Sequence, residues 1–498
     1  MAILGHSVDL VKKLYGIKID IEKIPLDDKK TFEVLARGET EGLFQLNGSG
    51  MTRYLKELKP TTIHDINAMV ALYRPGPMEM IPEYIKRKDD ATQIKYLDPR
   101  MRDILDQSYG VITYQDDVMM IAIKLAGYSW LEADKLRKAM GKKIPAEMEA
   151  QKEKLLKGFL EHGLSKEKTA ELWSLIEPFA AYGFNKAHAA SYGRVAYQTA
   201  YMKANFPVEY MCAILTAESG DTEKIAEIIN ECKKIGITVL PPDVNASSKD
   251  FTVIDNSNER GKGIIRFGLH TIKGLGSDIA EAIIAERRMH GDFQSLTNFL
   301  DRVIHKNLNK KSMEALTKSG SFDTFGERGQ LLENMERMLE YNRQRQDIGS
   351  QGSLFGSETM NLSLFLMDAL PIKMEDKLRW EKELLGLYVS GHPLERVREK
   401  IEKSGVSIRG IRGDMRVGAS VTLACIIEEI KVFITKKNEQ MAFLKIADLG
   451  SSIEGVIFPK SYTEFQGILK VDATVAVMAK ITERNGEKSL IVEKVKAI

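Results

Sequence analysis

Near Val406 the sequence changes period, and that change restricts the architectures open to the chain more than any other feature. Downstream, apolar and polar residues alternate, which sends successive side chains to opposite faces of a strand. Segments 421–432, 441–446, 453–458, 474–481 and 489–495 are five strand candidates. Lys436-Lys437-Asn438 and Arg484-Asn485-Gly486 suit hairpin turns, because Asn and Gly accept positive φ. A short helix over 462–469 is expected between the third and fourth strands. Five strands in about 80 residues, with a helix at that place, is the layout of an OB-fold barrel.

Upstream the pattern is different. From Phe32 to about Gly220 it is mostly helical, cut by Tyr73-Arg74-Pro75-Gly76-Pro77, Met140-Gly141-Lys142-Lys143-Ile144-Pro145 and Ala181-Tyr182-Gly183-Phe184-Asn185-Lys186. Pro lacks the amide donor and Gly adopts positive φ, so these loops end helices. Residues 134–140 and 146–162 read as exposed charged helices, and 222–234 as another, ended by Gly236. Residues 237–240 read as a short strand, and 264–345 as short helices alternating with glycine turns. The polar, glycine-rich stretch 347–360 reads as a linker. A chain of 498 residues exceeds one hydrophobic core, so several domains are expected, of multidomain α+β class with the barrel last. The balance of 72 basic against 70 acidic residues leaves +2, so any nucleic-acid surface must be local. Three cysteines without a C-x-x-C pair fit a reducing cytosol. No run approaches 18 apolar residues and none at the N-terminus resembles a signal peptide, so a cytoplasmic protein without a membrane partner is expected.

Five constellations carry chemistry. Lys135, Arg137, Lys138, Lys142 and Lys143 put cations on a helix and its terminal glycine loop. Arginine grips phosphate oxygens bidentately and lysine adds point charge, although such a run also fits a solvated helix face. Tyr182, Phe184, Asn185 and Lys186 offer an aromatic, an amide and a cation on a tight turn, suited to a base and a phosphate; Asn185 equally suits a helix N-cap, and His188 reads as structural. Asp116 and Asp117 are adjacent, so they rarely face one metal, and the structural reading is preferred. Lys273-Gly274-Leu275-Gly276-Ser277, ahead of an Ala/Ile-rich helix, would expose backbone amides and a positive helix end to a phosphate. That is the helix-hairpin-helix device for binding duplex without reading sequence, with 306–322 a degenerate second copy and a plain packing turn the alternative. Gln351, Leu354 and Phe355 lie in the polar linker, where two apolar anchors and an amide suit a partner's pocket, unless they dock on their own chain. No residues stand at zinc-ligand spacing.

In order, these segments resemble the bacterial DNA polymerase III alpha-subunit family of replicative polymerases. The pieces that carry the likeness are Gly42-Leu43-Phe44-Gln45-Leu46, Ala71-Leu72-Tyr73-Arg74-Pro75-Gly76-Pro77, Tyr109-Gly110-Val111-Ile112-Thr113-Tyr114-Gln115, Leu136-Arg137-Lys138-Ala139-Met140-Gly141-Lys142-Lys143, the 182–188 loop and Gly386-Leu387-Tyr388-Val389-Ser390-Gly391-His392-Pro393-Leu394. The resemblance implies a palm edge over 1–35, fingers over 36–225, a clamp-binding and helix-hairpin-helix domain over 226–346, a linker with clamp motif and connecting helix over 347–405, and an OB-fold domain over 406–498. It implies that Arg74, Arg137, Lys138, Lys142, Lys143, Tyr182, Phe184, Asn185 and Lys186 face a deoxynucleoside triphosphate. Lys273, Gly274, Gly276 and Ser277 would hold primer-template duplex, the barrel single-stranded template, and Gln351, Leu354 and Phe355 the ring-shaped sliding clamp, beside other replicase subunits. The family's palm supplies three catalytic aspartates and binds Mg2+; Ile3-Leu4-Gly5 here follows Ala2 where the last of those acids usually stands, and Asp116-Asp117 replace the usual Glu-Gln. A chain without its own catalytic or metal-binding residues, inactive alone, is therefore expected. The competing readings are a non-catalytic DNA- and clamp-binding scaffold and a fragment of the related translesion polymerase.

Overall fold

The computed structural model describes residues 2–142, 145–182, 184–254, 263–350, 363–413, 415–435, 437–484 and 487–498. They fall into two compact units, Met1–Tyr210 and Met211–Ile498.

The first unit is helical. Helix Gln115–Ala126 shows how its sequence fixes its ends: Asp117 closes a capping box around Tyr114, and Gly127 takes the left-handed conformation that terminates it. Val118, Ile121, Ala122 and Leu125 recur at helical spacing and are all buried. That face packs against helices Trp130–Lys142 and Pro145–Glu161, and Lys166–Tyr182 closes the layer. The longest helix, Lys186–Asn205, lies on Ile63–Leu72. Gly193 makes that contact close, since a Cβ there would lie 1.9 Å from Asn67 Oδ1 and 3.3 Å from Asn67 Cα.

The second unit begins within helix Pro207–Ala217 and continues with helix Thr222–Lys234, the bounds expected from sequence. A small sheet follows, from β1 (Thr238–Leu240), β2 (Thr252–Ile254) and β3 (Ile264–Arg266), in the order β1-β3-β2. Helices Ser277–His290, Leu296–Arg302, Lys310–Lys318 and Met335–Ser350 come next. The last of these runs through the first residues of the expected linker. Its i,i+4 bonds Gln344–Glu340 and Gln346–Asn342 carry an established helix onward, and propagation costs less than nucleation. Helix Met374–Leu385 is anchored by buried Glu381, which pairs with Arg328 and accepts the Val389 and Ser390 amides. Gln351, Leu354 and Phe355 lie outside the described residues.

The C-terminal strands close into a barrel. They are β4 (Ser420–Ile434), β5 (Gln440–Ala447), β6 (Ser452–Ile457), β7 (Thr474–Arg484) and β8 (Glu487–Ala497), ordered β4-β5-β6-β8-β7. Val421, Leu423, Cys425 and Ile427 alternate into one core with Leu444, Ile446, Val475, Val477 and Val492. The fold is thus multidomain α+β, mainly helical, ending in an OB-type barrel. The helix after β6 is Pro459–Phe465, three residues earlier than expected, because Pro459 supplies a preformed first helical position. No helix among the described residues is long and apolar enough to cross a membrane.

Candidate functional site

The first unit brings three distant segments to one pocket of about 270 Å3, lined by Gln45, Tyr73, Arg74, Phe184, His188 and Tyr192 with Met51 and Val70 behind. Helix Ile63–Leu72 ends at Tyr73, which leaves Arg74 at its tip. The Arg74 guanidinium lies 3.5 Å from the centroid of the Phe184 ring. It makes no ion pair among the described residues, and burial pulls its pKa down. Phe184 is held in turn, because its carbonyl accepts from the Gln115 amide at 2.9 Å while Asp116 accepts from the Lys186 amide at 2.8 Å. These two bonds tie the 184–186 turn to the start of helix Gln115–Ala126.

Beyond the turn, His188 and Tyr192 stand four apart on one side of helix Lys186–Asn205, and Phe184, just before the N-cap Asn185, stands four residues ahead of His188. Their rings form a ladder, 5.1 Å from Phe184 to His188 and 4.2 Å from His188 to Tyr192, continued by Phe44 at 5.4 Å. The floor is the Gly42–Leu46 loop, where Gln45 has φ of 61°. A non-glycine residue there costs of order 1–3 kcal/mol and persists only when its surroundings impose it. They do: Thr199 holds the Phe44 amide, Lys203 Nζ donates to the Glu39 and Glu41 carbonyls, and the Tyr210 hydroxyl donates to the Gly42 carbonyl. One solitary cation, a ladder of rings and an amide together can stack a planar base and hold an anion.

The other expected nucleotide residues are arranged differently. Arg137 and Lys138 both pair with Asp134, at 2.7 and 2.8 Å, and those bonds hold the Asp134 carboxyl below its usual range. Asn185 spends its side-chain oxygen on the His188 amide as an N-cap. Lys186 Nζ lies 5.6 Å from the centroid of the Tyr114 ring. Lys142 and Tyr182 end their helices, and Lys143 lies outside the described residues. Asp117 is buried, accepts the Thr113 and Tyr114 amides, and is raised to about 6, chiefly by burial. Asp116 and Asp117 thus serve different backbone partners and do not fit a divalent-metal pair. Among the described residues no His, Cys, Asp or Glu cluster could hold a metal.

In the second unit, Gly274 has φ of 85° and turns the chain into helix Ser277–His290. The Lys273 amide is not free, since it donates to the Leu384 carbonyl at 2.9 Å. The Gly274, Gly276, Ser277 and Asp278 amides donate to no atom of the described residues, so they face outward at a helix N-terminus. What precedes the hairpin is a single 3-10 turn, Leu269–Thr271. The second copy is a fuller one, helices Leu296–Arg302 and Lys310–Lys318, the latter capped by Asn309. It also delivers Lys311, whose Cε would touch a Cβ on Gly274 at 3.5 Å. On the barrel, Val432, Phe433 and Ile434 of β4 are exposed, and Phe433 meets Phe443 edge to face at 5.3 Å.

Gln45 and Tyr73 stand in motifs quoted above without a site role, no expectation covers Tyr192, Lys311 or the Phe433–Phe443 pair, and His188, expected to be structural, lines the pocket. An aromatic period of four from Phe184 to Tyr192 is the one signal that could have marked the ladder.

Comparison with known proteins covers almost the whole chain. Residues 1–163 match the bacterial DNA polymerase III alpha subunit finger domain, residues 236–331 a helix-hairpin-helix motif, and residues 421–498 an OB-fold nucleic acid binding domain. The DNA polymerase III subunit alpha of Thermus aquaticus is 40% identical over 97% of this chain and 39% of its own length. That of Borreliella burgdorferi is 39% identical over 99% of the chain and 43% of its own, and that of Deinococcus radiodurans 38% over 100% and 38%. The chain spans about two-fifths of the length of these curated relatives.

Proposed function

From a chain that belongs to the bacterial DNA polymerase III alpha-subunit family, we infer a protein that binds nucleotide, DNA and sliding clamp for a replicative DNA-directed DNA polymerase. The observation that carries this reading is the half-buried Arg74, without an ion pair among the described residues, lying on Phe184 at the head of an aromatic ladder. A deoxynucleoside triphosphate supplies both a ring to stack and an anion to pair. Arg137 and Lys138 stand together on Asp134, an exposed pairing that is weak in water and that a polyphosphate could displace. Lys186, with Lys142, Lys143 and the Tyr182 turn, would add to the same charge.

The free amides of Gly274, Gly276, Ser277 and Asp278, with Lys273 and Lys311, suit phosphates of a primer-template duplex, a contact that carries no base information. Phe433 and Phe443 suit stacking of single-stranded bases on the barrel. Gln351, Leu354 and Phe355 suit the pocket of a sliding clamp. Phosphoryl transfer by the family calls for Mg2+ on acidic residues; Asp116 and Asp117 accept backbone amides instead, and the part proposed for this chain is binding. Such work belongs in the cytoplasm, beside other replicase subunits.

The test is titration of the chain with a deoxynucleoside triphosphate and, separately, with primer-template. The wild-type chain should bind both. Arg74→Ala should weaken nucleotide binding about tenfold or more, as expected for loss of a charged hydrogen bond worth about 1.5–3 kcal/mol. Duplex affinity should not move. A variant that loses duplex and keeps nucleotide would overturn the assignment.

A further inference from the structure

The chain writes one short peptide twice. Gln351-Gly352-Ser353-Leu354-Phe355 is followed ten positions later by Asn361-Leu362-Ser363-Leu364-Phe365, with a side-chain amide two positions before an identical Ser-Leu-Phe. The described part of the second copy begins a stretch, Ser363 to Lys373, with no helix or strand. That stretch is nevertheless tied down. Buried Asn334 donates to the Met367 carbonyl at 2.9 Å and accepts its amide at 2.8 Å, as a neighbouring strand would. Glu327 accepts the Ile372 amide at 3.1 Å. Between and beside these anchors Phe365 is 76% and Leu370 88% exposed, while Leu364, Leu366 and Ile372 are half-buried. An aromatic residue left in water on a peptide with a fixed backbone calls for a partner, and fixing the backbone beforehand lowers the ordering cost of docking.

We propose that Ser363-Leu364-Phe365 is a second docking peptide for the partner pocket that takes Ser353-Leu354-Phe355, that of the sliding clamp. The proposal rests on the clamp reading given above. A pocket shaped for Leu-Phe with an amide at its rim meets the same groups in the same order at both places. Ten residues of extended chain span at most about 33–36 Å, so a clamp released by one copy stays within reach of the other.

The experiment is calorimetric titration of the full chain with the clamp ring, for the wild type, Leu354→Ala/Phe355→Ala, Leu364→Ala/Phe365→Ala and the quadruple variant. The first pair alone should weaken binding about 30-fold or more yet leave a residual complex, and the quadruple variant should lose a further tenfold or more. The second pair alone should weaken binding about two- to fivefold, with an unchanged unfolding temperature because Phe365 is so exposed. If the quadruple variant binds as well as Leu354→Ala/Phe355→Ala, the second copy is not a docking peptide. Wild-type affinity in Leu354→Ala/Phe355→Ala, with loss in the quadruple variant, would remove the first copy from the clamp reading and leave the second as the site. A wild-type chain that does not bind the ring sinks the clamp reading and this inference together. A lowered unfolding temperature in Leu364→Ala/Phe365→Ala, or conversion of a wild-type dimer to monomer, would assign the residues to the chain's own packing or self-association instead.

Discussion

Arg74 keeps its charge on the face of Phe184 with no carboxylate paired to it among the described residues, and two properties are therefore at stake in one side chain. Lysine would retain the charge but not the planar group, so Arg74→Lys should recover little of the nucleotide affinity lost in Arg74→Ala. Equal binding by the lysine variant and the wild type would reduce the role of Arg74 to charge alone. His392 makes a second residue-scale case. Its Nδ1 accepts the Leu394 amide, and burial, with Lys233 second, depresses its pKa to about 4. A histidine depressed in the folded state binds fewer protons there than when unfolded, so its contribution is complete above about 6.5 and is lost as pH falls toward about 4. His392→Asn keeps an acceptor for that amide without titrating. Unfolding curves should show it losing less stability than the wild type between those pH values, and parallel losses would refute the assignment. Local chemistry of this kind was legible in the sequence: Asn185 as an N-cap and Asp116-Asp117 as structural acids follow from neighbours a few positions away. The strained Gln45, the Arg74–Phe184 stack and Lys311 beside Gly274 were not, because each depends on partners far along the chain.

At the scale of elements, the proposed nucleotide pocket exists because helices Ile63–Leu72 and Lys186–Asn205 approach closely enough to set Arg74 against Phe184. Gly193 permits that approach. Its φ is helical, so alanine there meets no backbone penalty and only the neighbouring helix resists. With Asn67 Cα at 3.3 Å the obstruction includes backbone, and the two helices must part. Overpacking of this sort costs about 1–3 kcal/mol. Gly193→Ala should lower the unfolding free energy by that amount and weaken nucleotide binding, although residue 193 lies outside the pocket lining; unchanged values of both would show that the helices can adjust freely. The barrel strands were readable because period two survives wherever one face is buried, and all five fell within a few residues of their places. Their ends were less so: β4 runs to Ile434, where Val432, Phe433 and Ile434 are all exposed and no alternation remains to mark a strand. Pairing with β5, which places Phe433 opposite Met441, extends the ladder past the buried pattern.

For the whole molecule, a net charge of +2 gives no general attraction to nucleic acid, so affinity must reside in separate local sites. The proposed nucleotide site lies in Met1–Tyr210 and the proposed duplex site in Met211–Ile498, each built from residues of its own unit. That division has a thermodynamic consequence. Gly276 has an extended conformation, and a Cβ there would meet only Ile279 Cγ2 at 4.0 Å, so valine fits the fold while standing where a phosphate would approach the free amides. Loss of the preferred N-cap residue should cost at most about 1 kcal/mol of stability, which an unfolding curve will show. Gly276→Val should weaken duplex binding about tenfold, by the same factor for duplexes of unrelated sequence, because amide-to-phosphate contacts do not read bases. Nucleotide binding should be untouched. Combined with Arg74→Ala, the two losses should add within about 0.3–0.5 kcal/mol, as for independent sites that share no partner residues. A larger discrepancy in either titration would mean that the two units do not act independently, and a loss confined to one duplex sequence would mean that the hairpin reads bases.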